Sequence, residues 1–371
     1  MKPNRNSVIV YNVIFGTMEL NSPYLWRNGE RSKPLIDDLG ITHHGRTETV
    51  NRALTDFGIE HSFDQASKRF EEHYGFKISS TTVDRVTKGS ALGCQEYLEE
   101  RLRSGNNGCE QASKPNGSNE PMLVELDGCE IRTGTFALPE VEPQDGEPKR
   151  TKILAWRDVR VGLARPMSAE SKLYVAQMEK YPEVVSQLFC VATMLGMSEQ
   201  TDVVAVADGG QGLREELDNQ FPDMQFILDK PHLKKHLYET AAALDYSEEQ
   251  QRQWVHAKLD KISEGHVQEI LTELEVQNTT EPNDRLRRFI AYLHRFEDAV
   301  DYNRFKELGY PIGSGEVESA HRSIPQKRLK LPGACWRPDS INPMLALRVV
   351  RANGWWNDYW THRTAATNIA A

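Results

Sequence analysis

The sequence predicts an α/β protein in which a mixed sheet follows a helical N-terminal region and precedes a long helical segment. Three observations predict this class. The residues of "PMLVELDGCEIR" alternate between two faces, with Leu123, Glu125 and Asp127 on one face and Val124 and Leu126 on the other, which indicates a strand. The unbroken apolar run in "DVVAVADGG" is typical of a strand buried on both faces. From Lys230 to about Phe305, leucine spacing and charged faces indicate helices alone.

Length and composition limit the classes of protein that the chain can belong to. Its 371 residues can bury two or three cores, and 39% of them are hydrophobic. The five cysteines are odd in number and include no CxxC pair, which disfavours a disulfide framework and a cysteine zinc site. We find no apolar run of membrane-spanning length and no leader, so we expect a cytoplasmic protein that is neither membrane-bound nor secreted.

The net charge of −9 argues against a nucleic-acid partner, but the charges are unevenly distributed. Between Ser319 and Arg351 the chain is strongly basic and contains a single acid, Asp339. Such a segment can be a surface for nucleic acid or a solvated basic helix, and the charge pattern leaves both interpretations open. The bases are Arg322, Lys327, Arg328, Lys330, Arg337, Arg348 and Arg351.

Two short helices are predicted in the N-terminal region, in "SFDQASKRFEEHYGFKISSTTVDRVTKG". Ser62 with Gln65 makes a capping box, Gly75 ends the first helix, and Ser79 or Ser80 caps the second. This is the outline of a helix-turn-helix, although such helix pairs also occur in proteins that bind no DNA. The second helix would offer Thr81, Thr82, Arg85 and Lys88 to a major groove.

The segment "SGNNGCEQASKPNGSNEP" has the Gly, Asn, Ser and Pro content of a flexible connection, and it marks a domain boundary. After it, "PMLVELDGCEIR" and "ILAWRDVRVGL" are expected to be neighbouring antiparallel strands. A helix in "EVVSQLFCVATMLG", the buried strand, a helix in "GLREELDNQF" and a strand in "MQFILD" follow. The predicted order is therefore β strands first, then αβαβ.

This order of elements places two aspartates at the predicted ends of strands. Asp127 and Asp208 end two strands, and each precedes a glycine that permits a sharp turn and close approach of a ligand. Acids at adjacent strand ends can share a divalent ion, although a single Asp-Gly pair is more often a turn or cap. A third acid can come from Glu316 or Glu318 in "GYPIGSGEVESAHRSIPQKRLK". Two ions held by such acids would clamp the attacking and leaving oxygens of a phosphate displacement.

From about Leu123 to Trp360 the chain resembles DDE-type transposases of bacterial insertion sequences, most closely the ISKra4 group. The resemblance is carried, in order, by "ELDG", "VADGGQGLR", "FILDKPHLKKHL", "IGSGEVESAHR", "QKRLKLPGACW" and "ALRVVRANGWWNDYW". It implies an RNase H-like mixed-sheet catalytic core with an all-helical insertion before the glutamate. It also implies that Asp127, Asp208 and Glu318 are the catalytic metal ligands for two Mg²⁺ or Mn²⁺ ions.

These inferences predict a domain order with defined boundaries. Residues 1–103 form the helical, DNA-binding N-terminal region, 104–120 a linker and 121–230 the first part of the core. Residues 231–307 form the insertion, 308–363 complete the core with the glutamate helix and a basic region, and 364–371 form a tail. Pro325 departs from the expected pattern, because proline inside a helix requires that the helix kink or end there.

The "DKPHLKKHL" segment is expected to support the active site. Asp229 ends a strand, Pro231 suits the first helical position, and His232 and His236 lie one turn apart. We favour hydrogen bonding or DNA contact over zinc binding, since no third soft ligand is nearby. His321, three residues after Glu318, is expected to lie on the same helix face as that glutamate.

The function that these features predict is transposition: metal-dependent cleavage of transposon ends and strand transfer to a target. The partners would be double-stranded DNA and further copies of the chain, in a nucleoid-associated, cytoplasmic setting. The expected DNA contacts are Arg85, Lys88, Arg322, Lys327, Arg328 and Lys330. Two alternatives remain: an RNase H-like nuclease without strand transfer, and a non-catalytic DNA-binding regulator derived from a transposase.

Overall fold

The computed structural model describes residues 2–27, 30–32, 41–42, 45–107, 120–137 and 151–369. The chain divides into two compact units. The first comprises Met1–Arg101, Ile131–Arg157 and Ser323–Ala371, and the second comprises Leu102–Glu130 and Asp158–Arg322. This division differs from the predicted domains, because the segment from Ser323 onward belongs with the N-terminal residues. Most of the predicted linker lies outside the described residues.

The first unit begins with strands, whereas the sequence predicted helices throughout residues 1–103. β1 (Lys2–Val13) pairs antiparallel with β2 (Gly16–Arg27). β3 (Glu30–Ser32), β4 (Ile41–Thr42) and β5 (Arg46–Thr47) complete a sheet of order β3-β2-β1-β5-β4. The helical prediction is wrong for these residues, because the β-branched and aromatic residues of "SVIVYNV" favour a strand.

Three helices follow in the first unit: α1 (Glu48–Glu60), α2 (Phe63–Tyr74) and α3 (Ser80–Asn107). At the start of α2 the Ser62 hydroxyl accepts a hydrogen bond from the Gln65 N–H, and Gly75 ends the helix with a φ of 75°. The second helix of the predicted pair is much longer than expected, at 28 residues. Apolar side chains of these elements form one core, made of Val50, Leu54, Ala66, Phe70, Ile78 and Val83.

The C-terminal part of the first unit consists of α12 (Lys327–Leu329), α13 (Ile341–Ala352) and α14 (Trp356–Ile369). Arg348 on α13 is buried and donates hydrogen bonds to the Ile59 carbonyl at 2.9 Å and to Glu60 at 2.8 Å. These contacts attach α13 to the end of α1, which explains why the C-terminal segment groups with N-terminal residues.

A five-stranded mixed sheet lies mainly in the second unit, and only residues 131–137 and 151–157 of its two longest strands belong to the first. Its strands are β6 (Met122–Ala137), β7 (Thr151–Pro166), β8 (Leu173–Gln177), β9 (Val203–Ala207) and β10 (Gln225–Leu228). The order is β10-β9-β6-β7-β8, in which β6, β9 and β10 are parallel and β8 is antiparallel to β7. This is the RNase H-like arrangement that the sequence predicted. The edge strand β8 was not predicted.

Helices connect and extend this sheet. α4 (Tyr181–Met194) precedes β9, and α5 (Leu213–Gln220) lies between β9 and β10. The predicted helical segment after β10 contains five α-helices and one 3₁₀ turn. They are α6 (Lys230–Ala243), α7 (Glu248–Ser263), α8 (Val267–Thr280), α9 (Asp284–His294), the turn Glu297–Ala299 and α10 (Tyr302–Glu307).

The α-helix that carries the predicted catalytic glutamate ends at His321, four residues before Pro325, which is one of the two expected outcomes. α11 (Gly315–His321) continues into a π-helical segment, Arg322–Gln326, which contains Pro325 and leads into α12. The wider π turn therefore accommodates the proline. In the described part of the chain, no helix combines the length and apolar character that crossing a bilayer requires.

Candidate metal centre

The two predicted aspartates lie side by side at the same edge of the sheet. Leu126 on β6 is paired with Ala207 on β9, and the next residues along these parallel strands are Asp127 and Asp208. Their carboxylates come within ligand-sharing distance of each other. The structure thus brings together two of the three predicted metal ligands.

A glycine is required directly after Asp208. A Cβ atom at Gly209 would lie 2.2 Å from Cε2 of Tyr292, which α9 places against this turn. The Asp208 Oδ1 atom accepts a 2.9 Å hydrogen bond from the Gly210 N–H, which holds the turn closed. At Gly128, by comparison, a Cβ would meet only one atom within 4 Å, a carbonyl oxygen at 3.9 Å. Of these two glycines, only Gly209 is therefore required because a side chain would not fit.

The third member of the cluster is a histidine. Asp127, Asp208 and His232 each offer one ligand atom, and these atoms all lie within 4.8 Å of one another. We call these three residues the Asp–Asp–His cluster. His232 lies in the first turn of α6, directly after β10, and Asp208 directly follows β9. Asp127 instead lies within β6, which runs on to Ala137, so the prediction that the strand ends at Asp127 is wrong. The sequence singled out His232 as a supporting residue only.

Asp229 fixes the orientation of the His232 ring. Its Oδ2 atom accepts hydrogen bonds from His232 Nδ1 at 2.8 Å and from the His232 N–H at 2.9 Å. Because Nδ1 is engaged, Nε2 is the ring atom that remains for a metal ion. The bond to Asp229 raises the pKa of His232, and burial opposes this rise.

Asp229 also holds the start of the glutamate helix. The carboxylate is fully buried, and its Oδ1 atom accepts hydrogen bonds from the Ser314 N–H at 2.8 Å and the Ser314 hydroxyl at 3.1 Å. Burial alone would raise the pKa of Asp229, but the bonds from His232 and Ser314 outweigh it and lower the pKa. Ser314 precedes α11 as expected, yet its hydroxyl bonds to Asp229 instead of capping the helix.

A second buried carboxylate, which the sequence did not single out as functional, holds the same helix. Glu125 is 1% exposed on β6, two residues before Asp127, and its Oε2 atom accepts a 2.8 Å hydrogen bond from the Val317 N–H. Burial raises the pKa of Glu125 to about 7. The first turn of α11 is therefore bound both to the strand of Asp127 and to the aspartate that orients His232.

The two glutamates of α11 have different surroundings. Glu316 forms ion pairs with Arg165 at 2.7 Å and Lys172 at 2.6 Å. Burial would raise the pKa of Glu316, but these two cations outweigh it and lower the pKa. Glu318 is exposed and does not belong to the Asp–Asp–His cluster. Its assignment as the third acidic ligand stays a prediction.

His321 lies one turn after Glu318 and contacts the first aspartate. Its Nε2 atom is 3.3 Å from Asp127 Oδ2, and the side chain is 4% exposed. Burial would lower the pKa of His321, but contacts with Asp127 and Cys129 outweigh it and raise the pKa to about 9. His321 thus supplies a positive charge beside Asp127, from the helix that carries Glu318.

His236 lies outside the cluster, although it is one turn from His232. Its ring packs on Tyr292 with a centroid distance of 4.6 Å, and its Nδ1 atom is 3.1 Å from Nη2 of Arg285. Burial lowers the pKa of His236. Its contacts are with the helical insertion, where it packs α6 against α9.

The predicted DNA contacts have unequal access to solvent. Arg85, Arg322 and Lys330 are exposed, whereas Lys88 forms a 2.8 Å ion pair with Asp84. Lys327 is exposed and pairs with Glu60.

Arg328 is 3% exposed, and this burial argues against the predicted DNA contact of its side chain. Its guanidinium lies over the rings of Phe63 and Trp336, at 4.5 Å and 4.7 Å, and donates to the Gly58 carbonyl at 2.8 Å. Burial lowers the pKa of Arg328 to about 10. Packing of its planar cation between aromatic rings withdraws the charge from solvent.

The donor set of the cluster fits a divalent metal ion. Two carboxylates suit Mg²⁺ or Mn²⁺, and an imidazole nitrogen favours the transition-metal ion over Mg²⁺. Three ligand atoms at this spacing make a site for one ion. The second ion that the sequence predicted would need a further carboxylate, for which Glu318 stays the candidate.

Comparison with known proteins adds evidence at the level of structure. No family model matches the sequence, and no curated protein matches it. Among solved structures the chain is similar to the Drosophila P element transposase strand transfer complex, over 82% of this chain and 92% of that chain. The sequence identity is 10% and the TM-score is 0.41. At this level of similarity we draw no conclusion about function, and the fold is defined by the strand order and pairing of β6–β10.

Proposed function

We propose that this chain is the DNA transposase of an insertion sequence, which cleaves the ends of its element and joins them to target DNA. The observation that carries the proposal is the Asp–Asp–His cluster, which the neighbouring strands β6, β9 and β10 of an RNase H-like sheet bring together. Carboxylates placed this close together can hold divalent ions. The order of sequence motifs around them resembles that of DDE transposases.

Each side chain of the cluster has a separate task in this proposal. Asp127 and Asp208 supply the negative charge that retains a divalent ion, and His232 supplies a neutral nitrogen ligand whose direction Asp229 sets. A bound divalent ion supplies positive charge to the attacking and leaving oxygens of a phosphate displacement. His321 limits the movement of Asp127 and adds a positive charge beside it.

Glu318 is proposed as a further acidic ligand that approaches from α11. The bonds from Ser314 to Asp229 and from Val317 to Glu125 fix the direction of the first turn of this helix. Glu316 already forms ion pairs with Arg165 and Lys172, which balance its negative charge. We therefore do not propose it as a metal ligand. The chain thus offers one free carboxylate and one structural carboxylate on the same helix.

Double-stranded DNA is the proposed partner, with phosphate contacts from the exposed bases Arg85, Arg322 and Lys330. Lys88 and Lys327 can contribute if DNA displaces their carboxylate partners. We also propose assembly of several copies on DNA, because the two ends of an element each need a catalytic centre. The proposed setting is the bacterial cytoplasm, at the nucleoid.

The test is cleavage of a plasmid that carries the DNA flanking the gene, in Mg²⁺ and in Mn²⁺. We expect strand cuts at the element ends, and their loss in Asp127→Asn and Asp208→Asn while DNA binding persists. Asp202→Asn is the matched control, because Asp202 is exposed and precedes β9 at the opposite end of the strand. Cleavage by both cluster variants at the wild-type rate would refute the metal-dependent reaction.

A second assay separates transposition from simple nuclease activity. Pre-cut ends with a free 3′ hydroxyl are incubated with a target plasmid, and joined products are measured. Transposition requires joining that depends on the same two aspartates. Cleavage without joining would leave a nuclease as the function of this site.

A further inference from the structure

One tryptophan differs from the others in its exposure. The four C-terminal tryptophans, Trp336, Trp355, Trp356 and Trp360, are buried and serve packing. Trp156 on β7 is 61% exposed, and it is the single exposed tryptophan among those whose side chains the structure describes. An indole ring in solvent exposes apolar area without any compensating contact, so its position indicates a ligand or partner.

Trp156 belongs to a face that is both aromatic and basic. A Cβ built at Gly134 on β6 would lie 2.7 Å from Sγ of Cys335, 3.0 Å from Cε of Lys152 and 3.5 Å from Cδ2 of Leu154. Lys152 and Leu154 on β7 therefore share one face of the hairpin with Gly134, and Cys335 packs beside that glycine. Side chains two apart on a strand lie on the same face, which adds Arg132, Phe136 and Trp156. We call the side chains of Arg132, Phe136, Lys152, Leu154 and Trp156 the hairpin face.

All five side chains of the hairpin face are exposed, and Phe136 is 62% exposed. Within the part of the chain that the structure describes, no carboxylate pairs with Arg132 or Lys152. Glu130 and Asp158 stand at the base of the hairpin, where Asp158 is 4.0 Å from Arg160. Two cations without a carboxylate partner among the described residues, beside two aromatic rings, complement a polyanion that also presents flat apolar surfaces.

We propose that the hairpin face binds unpaired bases of a DNA strand, by stacking on Trp156 and Phe136 and by phosphate contacts with Arg132 and Lys152. In a duplex the faces of the bases are covered by their neighbours, so only unpaired bases can cover exposed rings. Alternation of aromatic and cationic side chains matches the alternation of base and phosphate along a single strand. This inference rests on the proposed function for the choice of DNA as the polymer.

The experiment measures binding, not cleavage, so that it does not depend on the metal centre. The full-length Asp127→Asn protein is titrated with a fluorescent single-stranded oligonucleotide and with its duplex, in chelator. We expect tighter binding of the single strand and a loss of about tenfold in Trp156→Ala. Phe15→Ala is the matched control, because Phe15 is an aromatic residue, 93% exposed, at another hairpin; it should bind normally.

Salt dependence separates stacking from phosphate contact. In the double variant Arg132→Ala/Lys152→Ala, the slope of log affinity against log salt should fall by about 1.4, since each single-strand contact contributes about 0.7. The slope should stay unchanged in Trp156→Ala. Wild-type affinity of Trp156→Ala for the single strand, or an equal loss of duplex affinity in that variant, would overturn the inference. A change confined to oligomeric state would also overturn it and would assign the hairpin face to a second copy of the chain.

Discussion

The fully buried carboxylate of Asp229 accepts a 2.8 Å hydrogen bond at Oδ2 from Nδ1 of His232 and so holds the imidazole ring in place. The same carboxylate accepts two hydrogen bonds from Ser314 at the start of the glutamate helix. One side chain therefore sets both the direction of a candidate metal ligand and the position of the helix beside it. This double role makes Asp229 the most informative residue to change outside the cluster.

The first prediction concerns Asp229→Asn. The single amide oxygen of asparagine can accept fewer of the four hydrogen bonds that Asp229 receives from His232 and Ser314. The uncharged amide also no longer polarises His232. Mn²⁺ affinity should therefore fall about 10- to 100-fold. Calorimetric titration of the metal-free protein with Mn²⁺ measures this. Asp301→Asn is the control, because Asp301 also caps a helix, α10, by accepting from the Arg304 N–H. Equal Mn²⁺ affinity in both variants would show that Asp229 has only a capping role.

The second prediction compares the two glutamates of α11. Glu318→Gln should abolish cleavage and joining with no loss of stability, since Glu318 is exposed. Glu316→Gln should keep most activity and lose about 1 kcal/mol of unfolding free energy, because its pairs with Arg165 and Lys172 are partly screened by solvent. Cleavage rates in Mg²⁺ and chemical denaturation measure the two effects. The reverse ranking of cleavage rates would identify Glu316 as the ligand.

The third prediction treats Glu125 as a positioning residue. Glu125→Gln keeps an oxygen that can accept the Val317 N–H, whereas Glu125→Leu leaves that buried donor unpaired. We expect near-normal cleavage in the Gln variant and a loss of about tenfold or more in the Leu variant, at unchanged Mn²⁺ affinity. A parallel loss of metal affinity in Glu125→Leu would instead mean that the whole strand end is disturbed.

The fourth prediction concerns stability in the first unit. Burial alone would raise the pKa of Glu60, but Lys327 and Arg348 outweigh it and lower the pKa. A carboxylate with a lowered pKa stabilises the folded state above its ordinary pKa and loses that contribution as pH falls through the folded value. Glu60→Gln should therefore cost about 2 kcal/mol at neutral pH, chiefly by leaving buried Arg348 without its charged partner.

The measurement for Glu60→Gln is chemical denaturation at several pH values. The difference from wild type should be largest near neutral pH and should shrink below about pH 4.3, where free glutamate takes up its proton. Glu71→Gln, which changes an exposed glutamate on α2, should show no such difference. A difference that does not vary with pH would exclude charge as its origin.

Several elements could be predicted because their signals are local. The run "DVVAVADGG" predicted the buried strand directly before Asp208, and alternation predicted β6, although not its continuation from Asp127 to Ala137. Periodic leucines predict the helices after Lys230. Local patterns did not predict β8, which is a short edge strand. They also did not predict β1, which lies in a region that was interpreted as helical.

The sequence by itself determined that Asp208 follows a buried strand of an α/β core, because the apolar run and the glycines after it are local signals. It predicted that another strand ends at Asp127, whereas β6 runs on to Ala137. Only the tertiary structure decided that parallel pairing of Leu126 with Ala207 places the two aspartates side by side. It also decided that His232 joins them, through a ring direction that depends on Asp229. Arg328 is a second example. Its charge predicts that the side chain is exposed to solvent, but contacts with Phe63 and Gly58, which are distant in sequence, bury it. Such contacts join residues far apart in the chain, so no local pattern records them.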